Sequence, residues 1–224
     1  DALKLNTTAS NNTAVGYQAG YSGTSGGRNV LLGYQAAYSL ATVGDAGLVA
    51  IGFQAGYAHN TNADIQTSVF IGYTSGKANT TGVDNTAVGG SSLLANTTGS
   101  RNTVFGSGAL VSNTTANSNT VVGYQAGFAN TTGNYNVAMG VANLYANTTG
   151  ANNTAIGYNS LRNNTTASNN TAVGYSAAYN NTTGSPITAI GREALYYNTT
   201  GTNNSGFGYH ALVNNSTGSF NTAV

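Results

Sequence analysis

A glycine returns along this chain at almost constant intervals: Gly16, Gly33, Gly52, Gly72, Gly89, Gly106, Gly123, Gly140, Gly157, Gly174, Gly191 and Gly208. Nine of the eleven intervals are 17 residues, and the exceptions of 19 and 20 fall together between Gly33 and Gly72. Each unit reads roughly N-T-A-V-G-Y-Q-A-L-Y-x-N-T-T-G-x-x. Self-similarity at one short fixed period marks a chain built from stacked units, each packing on its neighbours.

Three columns precede the glycine. Immediately before it stands a bulky apolar residue (Val15, Leu32, Ile51, Ile71, Val88, Phe105, Val122, Met139, Ile156, Val173, Ile190, Phe207). Two residues earlier is a mostly β-branched one, such as Thr13, Val30, Thr86 and Thr154, and between them a mostly small one, such as Ala14, Ala50, Ala138 and Ala189. A short β-branched run, then Gly, then Asn-Thr-Thr-Gly, predicts a strand and a corner. No segment holds a helical apolar period long enough to compete. The expected fold is all-β: a single continuous parallel β-solenoid over residues 1–224, of about thirteen coils. Two longer, variable turns fall within residues 34–71. At about 4.8 Å per coil, such a stack would be about 60 Å long.

Side chains alternate faces along a strand, so the columns flanking the small one point one way and the small column the other. Both faces are apolar, which predicts burial on both sides. One face fills the coil. The other needs a cover, and the same strand of a neighbouring chain is the simplest, with Ala and Gly allowing close approach. The expectation is a homo-oligomer, with cyclic symmetry about the long axis. Val224 falls one residue before the next glycine is due, and neither end reads as a polar capping repeat. The segment is therefore expected to belong to a longer fibre.

Composition narrows the function classes. Charged residues are 5% of the chain, with six basic and five acidic side chains scattered singly. A nucleic-acid surface needs clustered Lys and Arg, so no nucleic-acid partner is expected. No apolar run approaches the ~20 residues of a membrane-spanning helix. The absence of cysteine excludes disulfides and thiolate metal sites. Fifteen tyrosines and six phenylalanines, with evenly spaced Val, Ile and Leu, argue against disorder.

The recurring Asn-Thr-Ala-Val-Gly and Asn-Thr-Ala-Ile-Gly resemble the head repeats of trimeric autotransporter adhesins, which read approximately Asn-Ser-Val-Ala-Ile-Gly. Val49-Ala50-Ile51-Gly52 is the nearest match, and Val137-Ala138-Met139-Gly140 is close. The resemblance covers essentially the whole segment and extends to repeats in phage and viral fibres. It implies a left-handed parallel β-roll, three chains to a trimer. The unit here is longer by about one turn, the Asn-Thr-Thr-Gly stretch. With no stalk coiled coil or anchor in the segment, anchorage to an outer membrane is not expected of it.

Asn-Thr-Thr or Asn-Ser-Thr stands ten residues before each of ten repeat positions, beginning at Asn6, Asn79, Asn96, Asn113, Asn130, Asn147, Asn164, Asn181, Asn198 and Asn215. All are N-glycosylation sequons and hence glycosylation candidates. The preferred reading is structural: Asn and Thr satisfy a tight turn, and turns stacked ~4.8 Å apart leave little room for a glycan on each. A second asparagine column, four before the glycine (Asn12, Asn29, Asn85, Asn102, Asn119, Asn136, Asn153, Asn170, Asn204, Asn221), suits an amide ladder along the axis. Tyrosines one and five residues after the glycine are expected to stack between coils, with sugar binding as the functional alternative. Asp45, His59 and Asp64 in the long turns are expected to be solvated, and Arg192-Glu193 to be a surface pair. No carboxylate pair or Ser/His/Asp set suggests catalysis, so an enzyme is not expected, nor is a cofactor or metal.

The leading expectation is a structural and adhesive extracellular fibre module, a rod on a cell or virion surface with a host glycan or protein as its candidate partner. A viral or phage fibre shaft with its receptor site elsewhere is the alternative. An ice-binding solenoid is a different class. It requires Thr-x-Thr on one flat face, whereas adjacent threonines of Asn-Thr-Thr point opposite ways in an extended strand.

Overall fold

A computed structural model describes residues 1–40, 47–60 and 67–224. Asp45 and Asp64 lie outside the described residues. The chain divides into two compact units, Asp1–Thr115 and Ala116–Val224. The first holds β1 (Thr13–Val15), β2 (Val30–Leu32), β3 (Val49–Ile51), β4 (Val69–Ile71), β5 (Thr86–Val88) and β6 (Thr103–Phe105). The second holds β7 (Thr120–Val122), β8 (Val137–Met139), β9 (Thr154–Ile156), β10 (Thr171–Val173), β11 (Ile187–Ile190), β12 (Asn204–Phe207) and β13 (Thr222–Ala223). Within each unit every strand pairs in parallel with the next, column on column: Thr13 opposite Val30, Ala155 opposite Ala172. The long turns leave this register intact, since Val30 faces Val49 and Val49 faces Val69. Each unit is thus a stretch of parallel β-solenoid, and the described residues contain no helix.

Three strand residues cannot close a 17-residue coil; the corners do. Around Gly157 the backbone turns left-handed four times, at Gly157 (φ 128°), Asn159 (56°), Leu161 (48°) and Asn169 (61°), and most coils repeat these positions. The glycine sits at the tightest corner. A Cβ built on Gly157 would lie 2.5 Å from the carbonyl oxygen of Gly174 one coil away, so no side chain fits. The corners also hydrogen-bond from coil to coil, as Asn159 N–H to Val141 O (3.0 Å) and Leu161 N–H to Ala177 O (3.0 Å) show. Backbone groups outside the strands thereby escape the cost of burial without a partner.

These corners make the interior narrow, and this reverses the expected faces. The small column points inward: Ala50, Ala87, Ala138, Ala155, Ala172 and Ala189 are fully buried. The bulky column, expected to fill the coil, points outward, with Val15 64% and Met139 42% exposed. A second buried position, four after the glycine, adds the larger core side chains Leu93, Leu110, Leu144, Leu161 and Leu195. Where the strand instead contributes a large inward side chain, the facing position is glycine. Added Cβ atoms on Gly56 and Gly76 would come within 2.9 and 2.2 Å of the Phe70 ring, and one on Gly20 within 2.6 Å of Leu31.

Candidate functional site

Among the described residues, no single set stands out from the repeat as catalytic machinery; the candidate surfaces are columns. The asparagines of the sequons are the inner rungs of one of them. Asn79, Asn96, Asn113, Asn130, Asn147, Asn164, Asn181 and Asn198 are all at most 2% exposed. Asn164 shows the pattern. Its Nδ2 donates to Asn147 Oδ1 one coil back (2.8 Å) and to the carbonyl of Ala167 (2.9 Å), and its Oδ1 accepts from Asn181 Nδ2 (3.1 Å). The same amide-to-amide step joins Asn147 to Asn130 and Asn198 to Asn181. A glycan on Nδ2 would replace one of these two donor hydrogens and would have to be accommodated at a buried nitrogen. Asn6 is exposed and Asn215 half-buried, yet each also donates to the carbonyl three residues on. The first threonine of each turn is used as well, as Thr148 Oγ1 donates to Thr165 O (3.0 Å) while Thr149 is exposed.

The amide ladder therefore lies in the sequon column, not chiefly in the column expected to hold it. Asparagines four before the glycine mostly bridge side chain to backbone. Asn153 Oδ1 accepts the N–H of Asn170 (3.0 Å), and Asn153 Nδ2 donates to Ala167 O (2.9 Å). Asn102 to Asn85 and Asn221 to Asn204 add direct amide contacts. His59, expected to be solvated, is 1% exposed: it occupies a rung of the sequon column, with Nδ1 2.8 Å from Asn79 Nδ2 and its ring edge toward Phe70.

Aromatic rings stack as expected. One after the glycine, Tyr17, Tyr34, Phe53 and Tyr73 form a run with centroids 5.2–5.4 Å apart, and Tyr158 and Tyr175 a pair at 5.3 Å. Five after it, Tyr21, Tyr38 and Tyr57 stack, as do Phe128 with Tyr145 and Tyr179 with Tyr196. A ring inside such a run has both faces covered by its neighbours and shows only its edge.

The outward side of the sheet carries a bulky apolar column in both units, beside a column of Thr, Val and one Ser. Val15, Phe105, Met139, Ile156, Ile190 and Phe207 are each at least 36% exposed. Beside them run exposed rings, Tyr17, Tyr34 and Tyr73 in the first unit and Tyr124, Tyr158 and Tyr175 in the second. No charged residue occupies this apolar column.

In the second unit, charge gathers around one carboxylate. Glu193 Oε2 accepts from His210 Nε2 (2.7 Å), and its Oε1 lies 3.3 Å from Arg192 Nε. Both Glu193 and His210 hold the position that elsewhere carries a glutamine ladder, Gln18 to Gln35 to Gln54. The hydrogen bond from His210 holds the Glu193 carboxyl below its usual value against desolvation, with a lesser contribution from Arg192. Arg192 also lies over the rings of Tyr175 and Tyr209. Arg192-Glu193 is thus part of a larger cluster that includes His210, an association hidden by the 17-residue separation until the coil is closed.

Fold and columns together define a parallel β-solenoid repeat protein. No protein-family model, curated protein or solved structure matches the chain.

Proposed function

We propose that this chain is a non-enzymatic structural fibre segment, in which copies pack along the outward face of their sheets to form an extracellular rod. The observation that carries the reading is the uncharged, half-exposed stripe of Val, Leu, Ile, Met and Phe in both units. Monomeric proteins rarely expose contiguous apolar patches beyond a few hundred Å². A stripe whose knobs recur once per coil is matched in period by another copy of itself, so the partner is a second chain with coils level with the first. The occupant of the interface differs from expectation: the bulky column meets the neighbour, and the alanines stay inside. Three chains in a left-handed coil is the arrangement implied by the resemblance to trimeric autotransporter heads and fibre repeats. A cell or virion surface is the corresponding location, and a surface glycan or protein the corresponding partner.

Sedimentation velocity tests this. The chain is expected to sediment as a homo-oligomer, and Ile156→Asp with Ile190→Asp to convert it to a folded monomer, since both side chains already point outward. A monomeric wild-type chain at micromolar concentration would overturn the proposal.

The ice-binding reading has one observation in its favour, the outward Thr-x-Val or Thr-x-Ile of strands such as β5, β9 and β10. Phe105, Met139 and Phe207 interrupt the flatness a lattice match needs. Thermal hysteresis is expected to be absent.

A further inference from the structure

The second unit carries a cleft of about 490 Å³ lined by Tyr175, Glu193, Tyr196, Tyr197, His210 and Val213 among others. That volume lies in the range of small-molecule sites, about 300–1,000 Å³. Its origin is legible coil by coil. The ring column that stacks Tyr179 on Tyr196 continues with Val213, so the stack ends at Tyr196 and a ring's worth of space follows. Tyr197, the next residue, leaves the column and stands at 80° to Tyr196, and it is 52% exposed. Rings within the ladders show only edges; here two rings at a steep angle border open space.

The polar groups in the same cleft are oriented. Glu193 is held by His210 on one oxygen and Arg192 on the other. A carboxylate has about four acceptor positions; Oε1 already accepts from Arg192 Nε and Nη2, so it is Oε2 that keeps capacity for another donor. Because Arg192 is engaged with this one carboxylate, the lining carries little uncompensated charge for an ionic ligand. Ser176 and Asn214 add a hydroxyl and an amide. Desolvation pushes the Tyr196 phenol above its usual value, so it remains a neutral hydroxyl. Aromatic faces beside a fixed acceptor pair suit one chemistry well: a pyranose, whose C–H face packs on a ring and whose hydroxyls donate to a carboxylate.

We propose that this cleft binds a neutral saccharide, with Tyr197 and Tyr196 as the stacking platform and Glu193, positioned by His210 and Arg192, as the hydroxyl acceptor. A regular rod would then carry its recognition at a defect in the repeat. The proposal deepens the fibre reading, to which it adds a ligand class, and the two fail separately.

The test is saturation-transfer difference NMR on the whole chain with cellobiose, maltose and lactose at millimolar concentration, and with sialyllactose as the charged comparison. At least one neutral disaccharide is expected to receive saturation on its ring protons. Tyr197→Ala is expected to weaken that binding about fivefold, the loss of one aromatic contact. Val213→Tyr restores the ring column and fills the cleft, so binding should vanish while the thermal midpoint holds or rises. Val111→Tyr makes the same change at the equivalent position of another coil and should leave binding unchanged. No transfer to any neutral sugar, transfer to sialyllactose alone, or undiminished binding in Val213→Tyr would each overturn the assignment. Sedimentation of the wild-type chain separates the readings: an oligomer that binds no neutral sugar sinks the cleft, and a monomer that binds one sinks the fibre.

Discussion

Gly157 and Gly90 differ in what a methyl group would meet, and the difference separates the structural glycines from the incidental ones. At Gly157 the backbone sits at φ 128° and an added Cβ would lie 2.5 Å from a backbone oxygen that cannot move without its whole coil. A strained left-handed residue costs of order 1–3 kcal/mol before the clash is counted. Gly157→Ala is therefore expected to lose more than about 3 kcal/mol in chemical denaturation. Gly90, one residue past its repeat glycine, has only the Ser107 hydroxyl at 3.8 Å, and Gly90→Ala is expected to stay within about 0.5 kcal/mol of wild type. The buried asparagines make a second residue-level case. Asn164→Ala leaves Asn147 Oδ1 and the Ala167 carbonyl without that donor in a dry interior, and should cost about 2–4 kcal/mol. For the same reason, the chain secreted from a glycosylating host should show no mass increase at Asn79, Asn96, Asn113, Asn130, Asn147, Asn164, Asn181 or Asn198 by peptide mass spectrometry. A glycan on any of these would show that the ladder forms after modification, or not at all.

Between neighbouring elements the core works by exchange of volume. Four coils place Ala in the strand and Leu four residues after the glycine, both buried (Ala87/Leu93, Ala138/Leu144, Ala155/Leu161, Ala189/Leu195); the coil of β4 places Phe70 in the strand and Gly76 at the leucine position. Phe70→Ala should cost about 3–5 kcal/mol through the cavity it leaves. Gly76→Leu should also destabilise, because its Cβ would lie 2.2 Å from the Phe70 ring. The double variant recreates the Ala87/Leu93 arrangement of the next coil, and is expected to be more stable than either single variant. A double-mutant cycle measures this, and additive losses would refute the exchange. The strands, their parallel register and the glycine corners were legible in the sequence, since a constant period superimposes equivalent residues whatever shape the coil takes. Which face lies inside was not. Alternation assigns residues to two sides without saying which side is enclosed, and that depends on corner curvature. The curvature comes from left-handed residues, and those such as Leu93, Leu144 and Leu161 carry no individual mark in the sequence. The same gap assigned the amide ladder mainly to the other asparagine column and left His59 in solvent. One signal was available: a column that alternates between Leu and Gly, with Gly beside the bulkiest strand residues, is the mark of a shared core.

At the scale of the whole molecule, the exposed stripe and the scarcity of charge point to one kind of association. Six basic and five acidic residues are spread over 224, and none stands in the bulky outward column, so ion pairs along that column have no groups to form from. Contacts between copies must come from apolar burial, with the tyrosine edges at the rim. Apolar association responds to salts in a characteristic way: screening by simple monovalent salt leaves it nearly unchanged, while excluded salts such as sulfate strengthen it. The oligomer proposed here is accordingly expected to keep its dissociation constant within about twofold when sodium chloride is raised across the physiological range, and to tighten in ammonium sulfate. Ile156→Asp places a carboxylate where the next copy would bury it, and its penalty should fall as pH drops toward the ordinary carboxylate range, where the group becomes neutral. The protonated carboxyl is still polar, so recovery should be partial. Sedimentation equilibrium at neutral and acid pH reads both effects in one series. An oligomer that dissociates in sodium chloride, or an Ile156→Asp variant that associates as tightly as wild type at neutral pH, would place the interface on some other face of the solenoid.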